Sequence, residues 1–261
     1  MDSRRAVGLD RFRLDGRTAL VTGASRGLGA AMARGLAGAG ANVVLHASRD
    51  HARAEADSIA DECSVRTATV VADLASPAAA ARLVDVATAA LEAPIDILVN
   101  NAGIIRRTAA VEYSDADWDD VIAVNLTSAF RLCRAAGAQM LLRGSGKIIN
   151  IASLLSFQGG IRVPAYAAAK GAIAQLTKAL SNEWAASGVN VNAIAPGYMR
   201  TDNTRALADD PVRYREITSR IPAGRWGQPD DLAGAVVFLA SPAADYVHGH
   251  VLVVDGGWMG R

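Results

Sequence analysis

Residues 18–29 read TALVTGASRGLG and decide the fold. The apolar start of this stretch predicts a strand, and the alanine-rich residues that follow it predict a helix. Between them, Gly23, Gly27 and Gly29 let the backbone bend sharply and approach a ligand without a Cβ in the way. The N-terminus of the helix then offers free N–H groups to a phosphate. The spacing is G-x-x-x-G-x-G, a weak signal alone, but its place between a first strand and a first helix indicates a nucleotide-binding turn.

The alternation of strand and helix continues to the end of the chain. Strands are expected at residues 18–22, 42–46, 66–72, 95–100, 146–152, 189–194 and 250–255, and helices at 28–39, 77–91, 115–142, 165–186 and 230–239. Several of these strands are apolar throughout, which is typical of strands covered on both faces. The sequence therefore predicts one α/β domain over residues 1–261, with a doubly wound, seven-stranded parallel sheet of the Rossmann type and helices on both faces.

Composition limits what this domain can do. Of 261 residues, 51% are hydrophobic and the net charge is +1, which argues against disorder and against a basic nucleic-acid footprint. No apolar run is long enough for a membrane helix. The four histidines show no spacing typical of a metal site, so no metal is expected. Residues 1–13 hold four arginines without an apolar run behind them, which predicts a flexible tail and no secretory signal; a cytoplasmic protein is expected.

Residues 201–225 interrupt the regular alternation of strands and helices. The segment is polar, contains Asp209-Asp210-Pro211 and shows no obvious strand. A long insertion at this position is often a mobile lid over a site. A solvated pair of helices that caps the sheet edge explains the pattern equally well.

The end of the second strand distinguishes the two nicotinamide cofactors. A carboxylate there binds the ribose 2′-hydroxyl of NAD, whereas a basic residue accommodates the 2′-phosphate of NADP. Here the strand ends His46-Ala47-Ser48-Arg49, with no carboxylate before Asp50. Arg49 and Arg26 can bind a phosphate through charge-assisted hydrogen bonds. The sequence favours NADP(H), with NAD(H) as the alternative.

Tyr166 and Lys170 are four residues apart in an alanine-rich segment, so a helix places both side chains on one face. A free tyrosine has a pKa of about 10, and a nearby ammonium is expected to lower that pKa enough for proton exchange. Ser153 follows the fifth strand at the carboxyl edge of the sheet, where its hydroxyl can stabilise developing charge or merely cap a helix. Asn125 is a polar residue in an apolar helix: either it faces outward, or it distorts the helix and holds a water for proton relay.

Taken together, these motifs resemble those of the short-chain dehydrogenase/reductase family over about residues 14–258. The motifs, in order, are Thr22-Gly23-x-x-x-Gly27-x-Gly29, Asp73, Asn100-Asn101-Ala102-Gly103, Asn125, Ser153, Tyr166-x-x-x-Lys170 and Pro196-Gly197. The resemblance implies a secondary alcohol–ketone oxidoreductase. Its catalytic residues would be Asn125, Ser153, Tyr166 and Lys170, with Tyr166 as the acid–base. It also implies a homotetramer packed through the helices at 115–142 and 165–186.

The cofactor site implied by the resemblance, together with the second-strand residues, is large. It comprises Gly23, Ser25, Arg26, Gly27, Leu28, Gly29, Ser48, Arg49, Asp73, Leu74, Asn101, Ala102, Gly103, Tyr166, Lys170, Pro196, Gly197, Met199 and Thr201. Asp73 would contact the adenine, and the residues from Pro196 to Thr201 would position the nicotinamide.

Further strings around residues 100–107, 151–164, 192–199 and 221–227 resemble the sugar-acid dehydrogenases of this family. An anionic substrate needs a cation near the cleft, and arginine binds carboxylate through two hydrogen bonds. Arg107 and Arg162 are the candidates, beside Ser153 and Tyr166; a surface or subunit-interface ion pair is the alternative for both arginines. A 3-oxoacyl or general carbonyl reductase with an apolar pocket stays open. A nucleotide-binding regulator without catalysis is a third hypothesis, which the presence of Tyr166, Lys170 and Ser153 argues against.

Overall fold

Seven parallel strands form the centre of the computed structural model, which describes residues 8–261. The strands are β1 (Thr18–Val21), β2 (Asn42–Ala47), β3 (Thr67–Val71), β4 (Ile97–Asn100), β5 (Gly146–Ile151), β6 (Val189–Pro196) and β7 (Val251–Val254). The helices are α1 (Gly27–Gly38), α2 (Arg53–Cys63), α3 (Pro77–Leu91), α4 (Asp115–Ile122), α5 (Ser128–Arg143), α6 (Pro164–Trp184), α7 (Arg205–Ala208), α8 (Pro211–Arg220) and α9 (Ala233–Ala240). The strand order is β3-β2-β1-β4-β5-β6-β7. The predicted doubly wound parallel sheet is confirmed.

Helices cover both faces of the sheet, because successive apolar side chains along a strand point alternately to one face and to the other. Ala19 and Val21 of β1 pack towards α1, α2 and α9, whereas Leu20 packs towards α3, α5 and α6. All four residues of β1 are buried. This two-sided burial explains why the strands read as continuous apolar runs.

The strand order reverses between β1 and β4, which are neighbours in space although two strands separate them in sequence. Connections leave this point towards opposite faces of the sheet, so a crevice opens at the carboxyl ends of the strands. The candidate nucleotide-binding turn after β1 and the loop after β4 that contains Asn101 meet at this point of the sheet.

The segment predicted as one helix over residues 115–142 is two helices, α4 and α5, joined by a π-helical turn at Ala123–Thr127. Asn125 lies inside that turn, and single π turns in α-helices are frequent at functional sites. Helix α2 also lies outside the helices proposed from the sequence.

Two less regular segments are also ordered. Residues 201–225, which showed no strand in the sequence, contain α7 and α8. Part of the expected tail, Gly8–Phe12, forms a 3-10 helix whose Phe12 ring contacts Phe238, with ring centroids 6.3 Å apart. Residues 1–7 of that expected tail lie outside the described residues.

Candidate active site

The turn between β1 and α1 is built so that only glycine fits. Gly23 and Gly27 have φ angles of +63° and +57°, in the left-handed region that other residues avoid. A Cβ on Gly29 would overlap the Gly23 carbonyl oxygen and lie 2.6 Å from the Asn101 side-chain nitrogen. The glycines thus let the start of α1 pack directly against the turn.

Asn101, just past β4, holds the other side of this turn. Its Nδ2 donates to the carbonyl oxygens of Thr22 at 2.9 Å and Gly23 at 3.1 Å. Its backbone N–H donates to the Thr22 hydroxyl at 3.0 Å, and so does that of Ala102. The ends of β1 and β4 are therefore locked together by side chains as well as by strand pairing.

Helix α1 begins without a capping side chain. Its N-cap is Arg26, which makes no cap hydrogen bond, and the first turn has no acidic residue. The first N–H groups and the positive end of the helix dipole therefore remain for an anionic ligand. Together with the tight glycine turn, this geometry fits the diphosphate of a dinucleotide.

His46, the fifth residue of β2, is a site residue that the sequence argument missed. Its Nδ1 accepts from the Gly23 N–H at 3.2 Å, and its Nε2 pairs with the Ala72 carbonyl oxygen at 3.0 Å. Because Nδ1 is an acceptor, Nε2 carries the proton and the ring is neutral. Burial lowers the pKa of His46 below 6.5, although the hydrogen bond to Ala72 opposes that shift. No local motif marks this histidine, since its partners come from two other strand ends.

The residues expected around the adenine end of the cofactor lie at neighbouring strand ends. Ser48 and Arg49 are exposed directly after β2. Asp73 is exposed after the adjacent strand β3 and accepts from the Ala75 N–H at 3.0 Å, while Leu74 is buried. Arg26 was expected to bind the cofactor phosphate together with Arg49. In the structure its guanidinium already forms an ion pair with Asp202, 2.5 Å away.

Ser153 and Tyr166 come together at the carboxyl end of β5. Ser153 is the N-cap of a short 3-10 helix, Leu154–Ser156, and its Oγ accepts from the Leu155 N–H at 3.2 Å. The same side chain lies beside Tyr166, in the first turn of α6, and a hydrogen bond between the two side chains lowers the pKa of the phenol. Ser153 thus caps a short helix, which is one of its two interpretations, and it also lies beside the candidate acid–base Tyr166. Its expected role in stabilising charge on the substrate oxygen stays a prediction.

The electrostatics around Tyr166 differ from the expectation that Lys170 lowers the pKa of its phenol. Burial raises the pKa of Tyr166, while the hydrogen bond from Ser153 and the charge of Arg107 lower it. The Lys170 Nζ donates to the Ile151 carbonyl oxygen at 2.5 Å and lies 5.6 Å from the centre of the Tyr166 ring. Burial also lowers the pKa of Lys170 to about 8. Lys170 is thus beside the ring, and its ammonium is directed to the backbone.

Asn125 faces inward, so the outward-facing interpretation is wrong. It is 2% exposed, its Nδ2 donates to the Ile104 carbonyl oxygen at 2.8 Å, and its Oδ1 accepts from the Ile104 N–H at 2.8 Å. Gly103 lies against the same side chain, because a Cβ there would be 3.3 Å from Oδ1. The π-helical turn therefore serves to hold the loop that follows β4.

A cleft of about 1010 Å³ extends from the candidate cofactor turn past Ser153 and Tyr166 to α8 and the C-terminal residues. The predicted residues on its wall are Leu28, Arg107, Ser153, Arg162, Tyr166, Pro196, Gly197, Met199 and Thr201. The sequence argument missed Asn203, Arg213, Glu216, Arg220 and Trp258, which also line it. All of these except Trp258 belong to the insertion at residues 201–225. Its position in the sequence was the one indication that they could line a site.

The two arginines expected near the substrate have different surroundings. Arg107 Nη2 donates to the Asn203 carbonyl oxygen at 2.9 Å, which connects the loop after β4 to the segment after β6. Arg162 is exposed and has a φ of +63°, and its carbonyl oxygen accepts from the Thr108 N–H at 3.0 Å. Both line the cleft, and neither makes an ion pair within residues 8–261.

Across the described part of the chain, no three His, Cys, Asp or Glu side chains gather closely enough to hold a metal ion. Burial raises the pKa of Cys133 to about 12, so this thiol is poorly suited to nucleophilic chemistry. Within residues 8–261, no helix combines the length and apolar character needed to cross a bilayer.

Comparisons with known proteins agree with this geometry. A family model described as enoyl-(acyl carrier protein) reductase matches residues 23–259. The chain belongs to the short-chain dehydrogenase/reductase family of oxidoreductases.

A sequence relative and two solved structures add to this assignment. The chain is 53% identical to 2-dehydro-3-deoxy-D-gluconate 5-dehydrogenase of Bacillus subtilis, over 97% of this chain and 98% of that protein. It is 55% identical to an Agrobacterium tumefaciens protein described provisionally as a 2-deoxy-D-gluconate 3-dehydrogenase and crystallised with NADP, with a TM-score of 0.90 and coverage of 96% and 99%. A gluconate 5-dehydrogenase from Burkholderia cenocepacia, in complex with NADP and tartrate, is 44% identical with a TM-score of 0.93, over 97% of this chain and 99% of that one.

The buried His46 predicts an acid-dependent loss of stability. Above pH 6.5 the ring is neutral in both the folded and the unfolded chain. As the pH falls through 6.5 towards the lower folded pKa, the unfolded chain takes up a proton that the folded chain does not, so the free energy of unfolding falls. His46→Gln, which cannot titrate, is expected to reduce this slope by up to about 1.4 kcal/mol per pH unit.

Urea unfolding of the wild type and of His46→Gln, from above pH 6.5 down to about pH 5, measures the slope. His250→Gln, at an exposed histidine, is the matched control and is expected to leave the slope unchanged. Identical acid slopes for the wild type and His46→Gln would contradict the role given to burial.

Proposed function

We propose that this chain is an NADP(H)-preferring dehydrogenase that interconverts a secondary alcohol and a ketone on a six-carbon sugar acid, such as 2-dehydro-3-deoxy-D-gluconate or 2-deoxy-D-gluconate. The observation that carries the proposal is the cleft itself. It joins Leu28 at the start of α1, the Ser153–Tyr166 pair and several arginines in one continuous space. The names of the relatives agree with a sugar-acid substrate.

Tyr166 is the acid–base of this reaction. When an alcohol is oxidised, the deprotonated oxygen of Tyr166 takes up the hydroxyl proton while the carbon–hydrogen bond breaks. When a ketone is reduced, the neutral phenol of Tyr166 gives its proton to the substrate oxygen. A bound nicotinamide supplies the hydride acceptor or donor. The Ser153 hydroxyl turns from the tyrosine oxygen to the substrate oxygen and stabilises the charge that develops there.

Lys170 and Asn125 support this pair. Lys170 is poised, with a pKa of about 8, to hold the nicotinamide ribose and to place positive charge beside the tyrosine ring. Asn125 completes the catalytic tetrad by holding the backbone of Ile104 and by supporting a water for proton relay.

The segment 201–225 serves as the substrate lid. Two contacts support this role, the ion pair of Asp202 with Arg26 and the hydrogen bond from Arg107 to Asn203. They connect the segment to the candidate cofactor turn on one side and to the loop after β4 on the other. The solvated-helix alternative leaves unexplained why residues from Thr201 to Arg220 line the cleft.

The cleft walls also distinguish the alternative substrates. Arg107, Arg162, Arg213 and Arg220 all line it, together with one acid, Glu216. A general carbonyl or 3-oxoacyl reductase was expected to have an apolar pocket, and four guanidinium groups suit an anionic, hydroxylated substrate better. A regulator without catalysis is disfavoured by membership in an oxidoreductase family together with the intact Ser153, Tyr166 and Lys170.

The chemical proposal is tested by absorbance of the reduced cofactor on a panel of hexonates, keto-deoxy sugar acids and acyl ketones with both NADP(H) and NAD(H). Sugar acids are expected to be the best substrates. Tyr166→Phe removes the proton acceptor and is expected to lower kcat by roughly 10²- to 10⁴-fold while cofactor binding persists. Tyr246→Phe, at a fully exposed tyrosine, is the matched control. Undiminished turnover by Tyr166→Phe, or turnover of acyl ketones alone, would refute the proposal.

The cofactor lies along the strand ends. Gly23, Ser25, Gly27 and Gly29 receive the diphosphate at α1, Asp73 and Leu74 border the adenine, and Asn101 to Gly103 and Pro196 to Thr201 border the nicotinamide half. Arg49, exposed after β2, binds the 2′-phosphate together with Ser48. Arg26 is the weaker candidate of the two arginines, because Asp202 already engages it.

Arg49→Ala is therefore expected to reduce the preference for NADP over NAD by roughly ten- to a hundredfold, the worth of one charged hydrogen bond of about 1.5–3 kcal/mol. The measurement is kcat/KM for each cofactor. Arg53→Ala, at an exposed arginine four residues along, should leave the ratio unchanged. A wild type that uses both cofactors equally, with no effect of Arg49→Ala, would defeat the NADP assignment.

The enzyme works as a cytoplasmic homotetramer. Cys63 and Cys133 are free thiols, which suits a reducing compartment. Trp118 on α4 and Phe130 on α5 are large apolar side chains that remain 41% and 40% exposed in the single chain, and a partner subunit would cover them. Sedimentation velocity is expected to show about four times the chain mass of 27.1 kDa. A monomer at micromolar concentration would contradict this assembly.

A further inference from the structure

We propose that Arg220, the last residue of α8, binds the carboxylate of the sugar-acid substrate and sets the selectivity of the enzyme for acids over neutral polyols. This inference rests on the proposed function and adds to it a binding group for one end of the substrate. The sequence pointed to Arg107 and Arg162 for that role. Four observations favour Arg220.

The first is the fixed position of its guanidinium. The Arg220 Cζ lies 4.0 Å from the centre of the Trp258 ring, a cation–π stack. Trp258 is itself held, because it is 6% exposed, its Nε1 donates to the Gln158 Oε1 at 3.1 Å, and its ring lies 4.7 Å from that of Tyr198. Gln158 belongs to the loop that follows Ser153. The guanidinium is thus positioned from the same loop as the candidate catalytic serine.

The second observation concerns the donors that this stack leaves available. Within residues 8–261 the Arg220 side chain makes no ion pair and donates no hydrogen bond to the protein. The contact with the Trp258 ring involves no oxygen or nitrogen acceptor, so the N–H donors of the guanidinium stay available to a ligand. An edge with two parallel N–H donors matches the two oxygens of a carboxylate.

The third observation is that the other arginines of the cleft are engaged or unsupported. Arg213 forms an ion pair with Glu216 at 2.7 Å, and Arg107 donates to the Asn203 carbonyl oxygen. Arg162 and Arg220 are both exposed, but no aromatic ring in the described part of the chain stacks on Arg162. Ordering a free arginine costs more side-chain entropy on binding than using one that is already held.

The fourth observation concerns distance from the reacting group. The charge of Arg107 acts on the phenol of Tyr166, so Arg107 lies near the oxygen that exchanges the proton. In a hexonate that reacts at carbon 5, the carboxylate at carbon 1 is at the opposite end of the molecule. Arg220 stacks on Trp258 in the same cleft, and its charge is not among those that shift the pKa of Tyr166.

The test compares a hexonate with its primary amide, which has nearly the same shape but no charge. For Arg220→Gln, kcat/KM for the acid is expected to fall roughly ten- to a hundredfold, while kcat/KM for the amide changes less than about twofold. Arg220→Lys keeps the charge without the planar fork and should recover part of the loss. Arg215→Gln, on the same helix but outside the cleft, is the matched control and should change neither value.

Each outcome is decisive. An equal loss for acid and amide would leave the acid-to-amide ratio unchanged and would assign Arg220 a structural role. Wild-type values of kcat/KM for both substrates would remove Arg220 from substrate binding. A loss of acid selectivity in Arg162→Gln but not in Arg220→Gln would transfer the role to Arg162. If the wild type turns over no hexonate with either cofactor, the proposed function fails. If the wild type turns over hexonates and Arg220→Gln has the same kcat/KM, the proposed function stands and only the role of Arg220 fails.

Discussion

The rest of the structure depends on one close approach, that of the start of α1 to the turn after β1. Gly29 lies so near the Gly23 carbonyl oxygen and the Asn101 side chain that any larger residue would force them apart. Three other strand ends then attach to the same turn, through the hydrogen bonds of Asn101 after β4 and of His46, which bridges β2 and the Ala72 carbonyl after β3. An uncapped helix N-terminus and four strand ends are thereby fixed in one place, which is the geometry that a dinucleotide requires.

From this turn the constraints pass along the crevice to the candidate catalytic residues. The loop after β4 continues from Asn101 to Ile104, where Asn125 holds it through two hydrogen bonds at the cost of a π-helical turn. Ser153 follows the next strand, β5, and Tyr166 lies in the helix after it, α6. Their environment is a balance of opposing effects, because burial raises the pKa of the phenol while Ser153 and Arg107 lower it. In the proposed function, positive charge in the cleft serves two purposes, proton transfer at Tyr166 and recognition of an anion at Arg220.

Much of this could be predicted from local sequence. The strands were correctly placed to within two residues because their apolar runs reflect two-sided burial, and the glycine turn and the Tyr166–Lys170 spacing are local patterns. The helix break at Asn125 was anticipated only as one of two interpretations, since a polar residue in an apolar helix does not reveal its partner. Helix α2 was missed because its sequence is predominantly polar, and α8, also polar, was left inside a segment without a clear period.

The sequence by itself determined the parallel sheet, the order of the motifs and the residue types available for hydride transfer, because each depends on neighbours within a few positions along the chain. Only the tertiary structure decided how the charged groups are used. The pairing of Arg26 with Asp202, the stacking of Arg220 on Trp258 and the two hydrogen bonds of His46 all join residues from different elements. Whether an arginine is free to bind an anion depends on which groups surround it in space, and no spacing along the chain specifies that.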